Sequence, residues 1–242
     1  MLNKEKHQLI MGRILKDIYT DTSISPILGF KGGTCAYLFY SLPRFSVDLD
    51  FDLLSTDDST PKQVFEKIKN ILKKYGEIKE SHIKHYTLFA LLSYGDTDHN
   101  IKIEIRTKDL IPHIKNHYEL KEYLGIPLFA GKKEYLFSGK LAALTLRSTI
   151  AMRDVYDIWF FAQNNWDIDP EVIKTRTNKS IEKHLADCIS VIKQIKDNQI
   201  LQGLGELLSE KEKIWVKNNL RQETIFMLKN YISSLSTKSL LK

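Results

Sequence analysis

The sequence predicts an α+β protein: an N-terminal lobe with a small mixed sheet over residues 1–130, followed by a mainly helical C-terminal lobe over residues 131–242. Three observations predict it. Strand-like segments, Ser46 to Leu54, Thr87 to Tyr94 and Ile101 to Thr107, fall in the first half of the chain among helix-period segments. From Lys133 onward the pattern is mostly helical. A Gly32-Gly33-Thr34 turn opens a helix, and the strand after it carries acidic residues at alternate positions.

In chain order, Asn3 to Tyr19 places Leu9, Ile10, Ile14, Leu15 and Ile18 at helical spacing. Thr22 to Pro26 is a polar break, and Ile27 to Lys31 a short strand or turn leading into the glycines. Thr34 to Leu42 reads as a helix stopped by Pro43, and Ser46 to Leu54 as the acidic strand. Thr60-Pro61 resembles an N-cap with proline in the first turn of a helix that runs to about Tyr75 on Val64, Phe65, Ile68, Ile71 and Leu72. Gly76 fits the turn after it. Thr87 to Tyr94 and Ile101 to Thr107 read as antiparallel strands around Gly95-Asp96-Thr97-Asp98. In the second, Ile101, Ile103 and Ile105 alternate with Lys102, Glu104 and Arg106, which puts Glu104 on the polar face. Val155, Ile158, Trp159 and Ala162 form a core stripe, and Ser209-Glu210-Lys211-Glu212 matches a capping box.

Composition excludes several classes. At 242 residues, 43% hydrophobic and 27% charged, the chain suits one globular domain or two small lobes. No run approaches the ~18 apolar residues of a membrane span. Met1 to Ile10 is charged and lacks the apolar core of a signal peptide. Cys35 and Cys188 form no disulfide framework, and Cys35 reads as a buried thiol. A cytoplasmic protein without a membrane partner is expected. The net charge of +6 is compatible with nucleic acid. His113 and His117 lack the intervening Glu of a zinc-protease helix, His82 and His85 lack neighbouring ligands, and all seven histidines read as non-metal.

The site chemistry concentrates in one stretch. On a strand, Asp48, Asp50 and Asp52 share a face, and carboxylates ~7 Å apart repel unless a cation lies between them. Mg²⁺ (or Mn²⁺), which prefers oxygen ligands and travels with phosphate, is the expected ion. Gly32 and Gly33 have no Cβ, so backbone N–H groups at a helix start can close on phosphate. Thr34 caps the helix, contacts phosphate, or both; Arg44 pairs with an acid and Ser46 with the turn or a phosphate. Lys140 and Arg147, two helical turns apart, share a face that reads as a charge stripe or a phosphate contact. Asp154 also reads as a first-turn residue, and Arg153 with Asp157 as a surface ion pair.

Phe30-Lys31-Gly32-Gly33-Thr34 with Arg44-Phe45-Ser46-Val47-Asp48-Leu49-Asp50-Phe51 resembles the first block of the AbiEii toxin family, within the nucleotidyltransferase superfamily. Gly139 to Leu144 with Arg147, and then Arg153 to Ile158, resemble its second block. The likeness runs from about Ile27 to Asn164. It implies a nucleotidyltransferase-like N-terminal lobe and transfer of an NMP from an NTP, with pyrophosphate released. It implies Asp48, Asp50 and Glu104 as metal ligands, Glu104 also as the base, and Asp52 as a neighbour. Lys31, Gly32, Gly33, Thr34, Arg44, Ser46 and Lys140 would hold the nucleotide, and Asp157, or else Asp154, would serve as a further acid from the helical lobe, with the site between the lobes. The resemblance further implies a growth-arresting toxin of a type IV toxin–antitoxin or abortive-infection system, an antitoxin encoded nearby, and an RNA acceptor, with tRNA favoured. Lys174, Arg176, Lys179 and Lys183 are candidate phosphate contacts or an ordinary solvated face. The alternatives are a small-molecule or protein hydroxyl as acceptor, or an NTP-binding regulator without turnover.

Overall fold

The computed structural model describes residues 3–55, 57, 60–95, 99–108 and 110–240. The chain divides into two compact units, Met1–Lys132 and Lys133–Lys242.

The first unit is built on a seven-stranded mixed sheet. Its strands are β1 (Leu28–Lys31), β2 (Leu49–Leu53), β3 (Glu77–Ile83), β4 (Thr87–Ser93), β5 (Asn100–Arg106), β6 (Tyr118–Tyr123) and β7 (Ile126–Gly131). They lie in the order β3-β4-β5-β2-β1-β7-β6. β2 runs parallel to β5 and β1 parallel to β7; the other neighbours are antiparallel. Three helices accompany the sheet: α1 (Lys4–Thr20), α2 (Gly32–Phe39) and α3 (Thr60–Leu72).

Period-two alternation sorts the central strands into two faces. One face is apolar: Leu88, Ile105, Phe51, Phe30 and Ala130 fall in register across it and are buried. Ile14, Leu15 and Ile18 of α1 and the Val64-Phe65-Ile68-Ile71-Leu72 stripe of α3 are buried in the same core. The other face carries Asp50, Glu104 and Lys31.

The expected antiparallel pair is β4 with β5, in register from Thr87↔Arg106 to Ser93↔Asn100. Of the turn assigned to Gly95-Asp96-Thr97-Asp98, the last three residues lie outside the described residues. Three boundaries differ from expectation. The glycines are helical, because α2 starts at Gly32 rather than Thr34. It ends at Phe39, where the chain turns through Ser41 with φ 58°. The acidic strand begins at Leu49, which leaves Asp48 in the segment leading into it.

The second unit is helical: α4 (Lys133–Leu146), α5 (Met152–Gln163), α6 (Pro170–Thr177), α7 (Ile181–Lys193) and α8 (Glu210–Leu240). The starts of α6, α7 and α8 carry side-chain caps. Asp169 accepts from the Glu171 and Val172 amides with Pro170 in the first turn, and Ser180 accepts from the Lys183 amide. The expected capping box opens α8: Ser209 Oγ accepts from the Glu212 amide at 3.4 Å, and Glu212 Oε2 accepts from the Ser209 amide at 2.7 Å. Val155, Ile158 and Ala162 are buried as expected, and Trp159 meets Trp215 with ring centroids 4.4 Å apart. No described helix is long and apolar enough to cross a membrane.

Candidate active site

Three strands bring the charged residues of the first unit into one row. Asp50 on β2 is the Cα partner of Lys31 on β1 and of Glu104 on β5. Partners on neighbouring strands lie about 5 Å apart, so a helix-opening lysine, a strand aspartate and a distant glutamate become near neighbours on one face.

Gly32 completes that row. Its φ is +80°, and a Cβ there would collide with Asp50 Oδ2. The start of α2, with its unsatisfied amides, therefore lies directly against the Asp50 carboxylate. Gly33 serves a different neighbour: a Cβ there would meet Arg44 Nη2 at 2.5 Å and Ser46 Oγ at 3.0 Å. Arg44 is only 2% exposed, and its Nη1 donates to the Phe45 carbonyl at 3.0 Å. It braces the segment ahead of the aspartates from inside.

Thr34 and Ser46 hold the same segment. Thr34 Oγ1 donates to the Asp48 carbonyl and lies 2.9 Å from Ser46 Oγ, both side chains being buried. From the far side, buried His7 of α1 has Nε2 3.0 Å from the Val47 carbonyl and Nδ1 2.7 Å from the Tyr94 hydroxyl. A carbonyl only accepts, so Nε2 carries a proton toward Val47, and in the neutral ring Nδ1 then accepts from the Tyr94 hydroxyl. Thr34, Ser46 and His7 thus fix the backbone on which Asp48 stands.

Asp52 has its own set of partners. It is fully buried, Lys31 Nζ donates to its Oδ1, and the Tyr118 hydroxyl donates to its Oδ2 at 2.7 Å. Gly29, the Cα partner of Asp52, makes room for Tyr118, whose ring a Cβ would strike. Lys31, expected at phosphate, is therefore tied to Asp52 in this structure. Sequence gave no sign of Tyr118.

The other residue sequence reasoning passed over is Lys102. In sequence it is one of the polar alternates of β5, yet its ammonium lies 3.5 Å from Asp48 Oδ2 and 3.3 Å from Glu104 Oε2. Desolvation raises the Asp50 carboxyl above its ordinary range; Lys102 works against that, and Asp48 and Glu104 reinforce it. Burial alone would lower the Lys102 ammonium, but Asp50, Asp48 and Glu104 outweigh it and the net direction is up.

Among the described residues no three His, Cys, Asp or Glu side chains converge into a ready metal cage. The donor chemistry still fits a hard cation. Asp48, Asp50 and Glu104 offer only oxygens, and the ammonium of Lys102 stands in as the positive charge among them.

In the second unit, Lys140 on α4 donates to Asp154 at 2.7 Å and lies 2.8 Å from Asp157, both on α5. Arg147 also pairs with Asp154. Asp154 and Asp157 are 1% and 0% exposed. Asp157 is therefore buried against Lys140 of α4 and does not lie on the surface. Burial would raise the Asp154 carboxyl, but the Lys140 and Arg147 charges outweigh it and hold it below the usual range. Of the basic residues further on, Lys179 pairs with Asp187 at 2.7 Å and Arg176 donates to the Tyr135 hydroxyl at 3.2 Å, while Lys174 and Lys183 are exposed.

The sequence model of the nucleotidyl transferase AbiEii toxin, type IV toxin–antitoxin system, matches residues 13–225. The chain belongs to the AbiEii family. It is accordingly a nucleotidyltransferase, an AbiEii enzyme class that uses NTP substrates. Solved structures agree in fold. A nucleotidyltransferase from H. pylori superposes with a TM-score of 0.60 at 21% identity, covering 98% of each chain. JHP933 from Helicobacter pylori superposes with a TM-score of 0.54 at 20% identity, covering 100% of this chain and 99% of the other. No curated protein matches the AbiEii chain in sequence.

Proposed function

We propose that this AbiEii protein is a Mg²⁺-dependent nucleotidyltransferase that moves an NMP from an NTP to an RNA hydroxyl, with tRNA the favoured acceptor. In this reading it is the growth-arresting toxin of a type IV toxin–antitoxin pair and acts in the cytoplasm. The observation that supports it most is the row Lys31–Asp50–Glu104, closed at one end by the Gly32 helix start.

Asp48 and Asp50, with Glu104, would hold the ion, which supplies positive charge against the triphosphate and the departing pyrophosphate. The amides that open α2 at Gly32 and Gly33 receive phosphate oxygens, where the helix start favours negative charge. Glu104, 39% exposed, accepts the proton of the acceptor hydroxyl as its oxygen bonds to the α-phosphorus and the bond to pyrophosphate breaks. Thr34, Ser46 and Arg44 keep the Asp48 backbone in place while this happens. Lys140 and Asp157 belong to the proposal as nucleotide-site residues, a role to be separated from their ion pairing. The net charge of +6, with Lys174 and Lys183 exposed, favours a polyanionic acceptor.

The test is incubation with each labelled NTP, Mg²⁺ and total cellular RNA, with Asp50→Ala as control. Label on tRNA that declines steeply with salt, while NTP binding does not, is the expected result. Label on a protein or small molecule but never on RNA rejects the acceptor and leaves the enzyme class standing. NTP binding without any transfer makes the chain a regulator.

A further inference from the structure

One cation on the carboxylate face, Lys102, stands between two of its acids. Lys102 leaves β5 on the same face as Glu104, two residues along the strand. Its Nζ reaches both Asp48 and Glu104, 3.5 and 3.3 Å away, although these acids stand on different segments. The Lys102 side chain is 27% exposed, against 16% for Asp48 and 39% for Glu104. It is bracketed by carboxylates without being sealed in, and it is free to leave toward solvent on a flexible four-carbon stem.

A divalent ion ligated by those acids needs oxygens at about 2.0–2.1 Å. An ammonium 3.3 and 3.5 Å from the same oxygens fills that space. The two cations would also repel strongly at such a separation. They compete for Asp48 Oδ2 and Glu104 Oε2.

We propose that Lys102 is a built-in counter-cation: it holds Asp48 and Glu104 together in the metal-free protein and must swing out before a divalent ion binds, so that it sets the metal affinity of the site. This rests on the reading of Asp48, Asp50 and Glu104 as the metal site. It adds a preference. A bare ion must displace the ammonium into water, whereas an ion arriving with a triphosphate brings phosphate oxygens that the displaced ammonium can meet within reach of its stem. Lys102 therefore disfavours bare metal and favours the metal–nucleotide pair, as a positioning residue for the carboxylates and not as a ligand.

Mn²⁺ titration of the full chain, read by the paramagnetic resonance of free Mn²⁺, tests this without turnover. The proteins are wild type, Lys102→Met, Lys102→Arg and Asp50→Asn, each with and without a non-hydrolysable NTP analogue. Without nucleotide, K102M is expected to bind Mn²⁺ on the order of tenfold or more tightly than wild type, since a neighbouring like charge is gone. K102R should stay near wild type. With the analogue present the advantage of K102M should shrink or reverse. Should K102M fail to fold by circular dichroism, Lys102→Gln takes its place. Equal or weaker Mn²⁺ binding by K102M, with binding lost in D50N, overturns the counter-cation and leaves the metal site intact. Absence of Mn²⁺ binding in every protein, with and without the analogue, overturns both.

Discussion

Asp50 and Glu104 are Cα partners across the parallel β2–β5 pair, so carboxylates from two distant stretches of sequence stand side by side on one sheet face. Desolvation raises the Asp50 carboxyl, Lys102 offsets part of this, and Asp48 and Glu104 add to it. A folded-state value above the unfolded one means that stability falls as pH rises from about 4 toward the folded value. At neutral pH the ionised group is a net cost to the metal-free fold. Asp50→Asn is therefore expected to abolish transfer while raising the metal-free Tm at pH 7. The Tm difference should vanish below about pH 4. Thermal melts across pH, with transfer assays on the same samples, check both halves; a D50N protein with near wild-type transfer would sink the assignment.

Lys140 is predicted to matter for folding. Its ammonium, 16% exposed, faces two carboxylates that are 1% and 0% exposed. Removing one partner of such a buried group leaves uncompensated charge and costs about 3–5 kcal/mol. Lys140→Ala should lose roughly that much in urea denaturation. Calorimetric NTP binding on the folded protein separates the second role: a fall in affinity with unchanged stability would place Lys140 at phosphate instead.

Acid should loosen the helical unit through Asp154. Its carboxyl is held low because the Lys140 and Arg147 charges exceed the burial penalty. A depressed folded value gives stability that is present above the unfolded value, about 3.9, and is lost as pH falls through the folded one. Asp154→Asn should be less stable than wild type at pH 7, with a flatter decline below pH 4. Chemical denaturation at a series of pH values measures the slopes.

Gly32→Ala should disable the site through backbone and carboxylate together. At φ +80° a Cβ costs about 1–2 kcal/mol, and here it would also strike Asp50 Oδ2. The expected outcome is a folded, slightly destabilised protein that has lost the Mn²⁺-dependent rise in Tm. A G32A protein that keeps this rise would show that Asp50 can move aside without loss.

Much of this architecture was legible because it follows period and punctuation. The Ile101-Ile103-Ile105 alternation read β5 and the side of Glu104, and the Ser209–Glu212 signal read the start of α8. The β6–β7 hairpin was missed for a physical reason. Its turn, Leu124-Gly125, has φ of 52° and 78°, the double positive φ of a tight hairpin. Such turns are ordinarily announced by Asn-Gly or Asp-Gly, and a leucine in that conformation announces nothing. β3 is legible only as a polar strand-like stretch around His82, because nearly all its residues are exposed and no apolar alternation marks its bounds. At the site, the residue types were readable but their partners were not. Lys31 with Asp52, Tyr118 with Asp52, and Lys102 with Asp48 all depend on strand order, which local sequence does not encode.

The strand order also governs when, during synthesis, the enzyme comes into being. β1 and β2 leave the ribosome early, but each takes its parallel neighbour from far downstream: β5 for β2 and β7 for β1. Such non-local pairings close late, because a long loop must be ordered before they repay its entropy. A nascent chain interrupted before Asn100 carries the glycine turn and the first aspartates with neither Lys102 nor Glu104 beside them. One interrupted before Ile126 also lacks the strand that flanks β1 on its other side. On a partly synthesised chain the carboxylate row is thus incomplete by topology, and it closes only once the sheet has been laid down from β3 to β7.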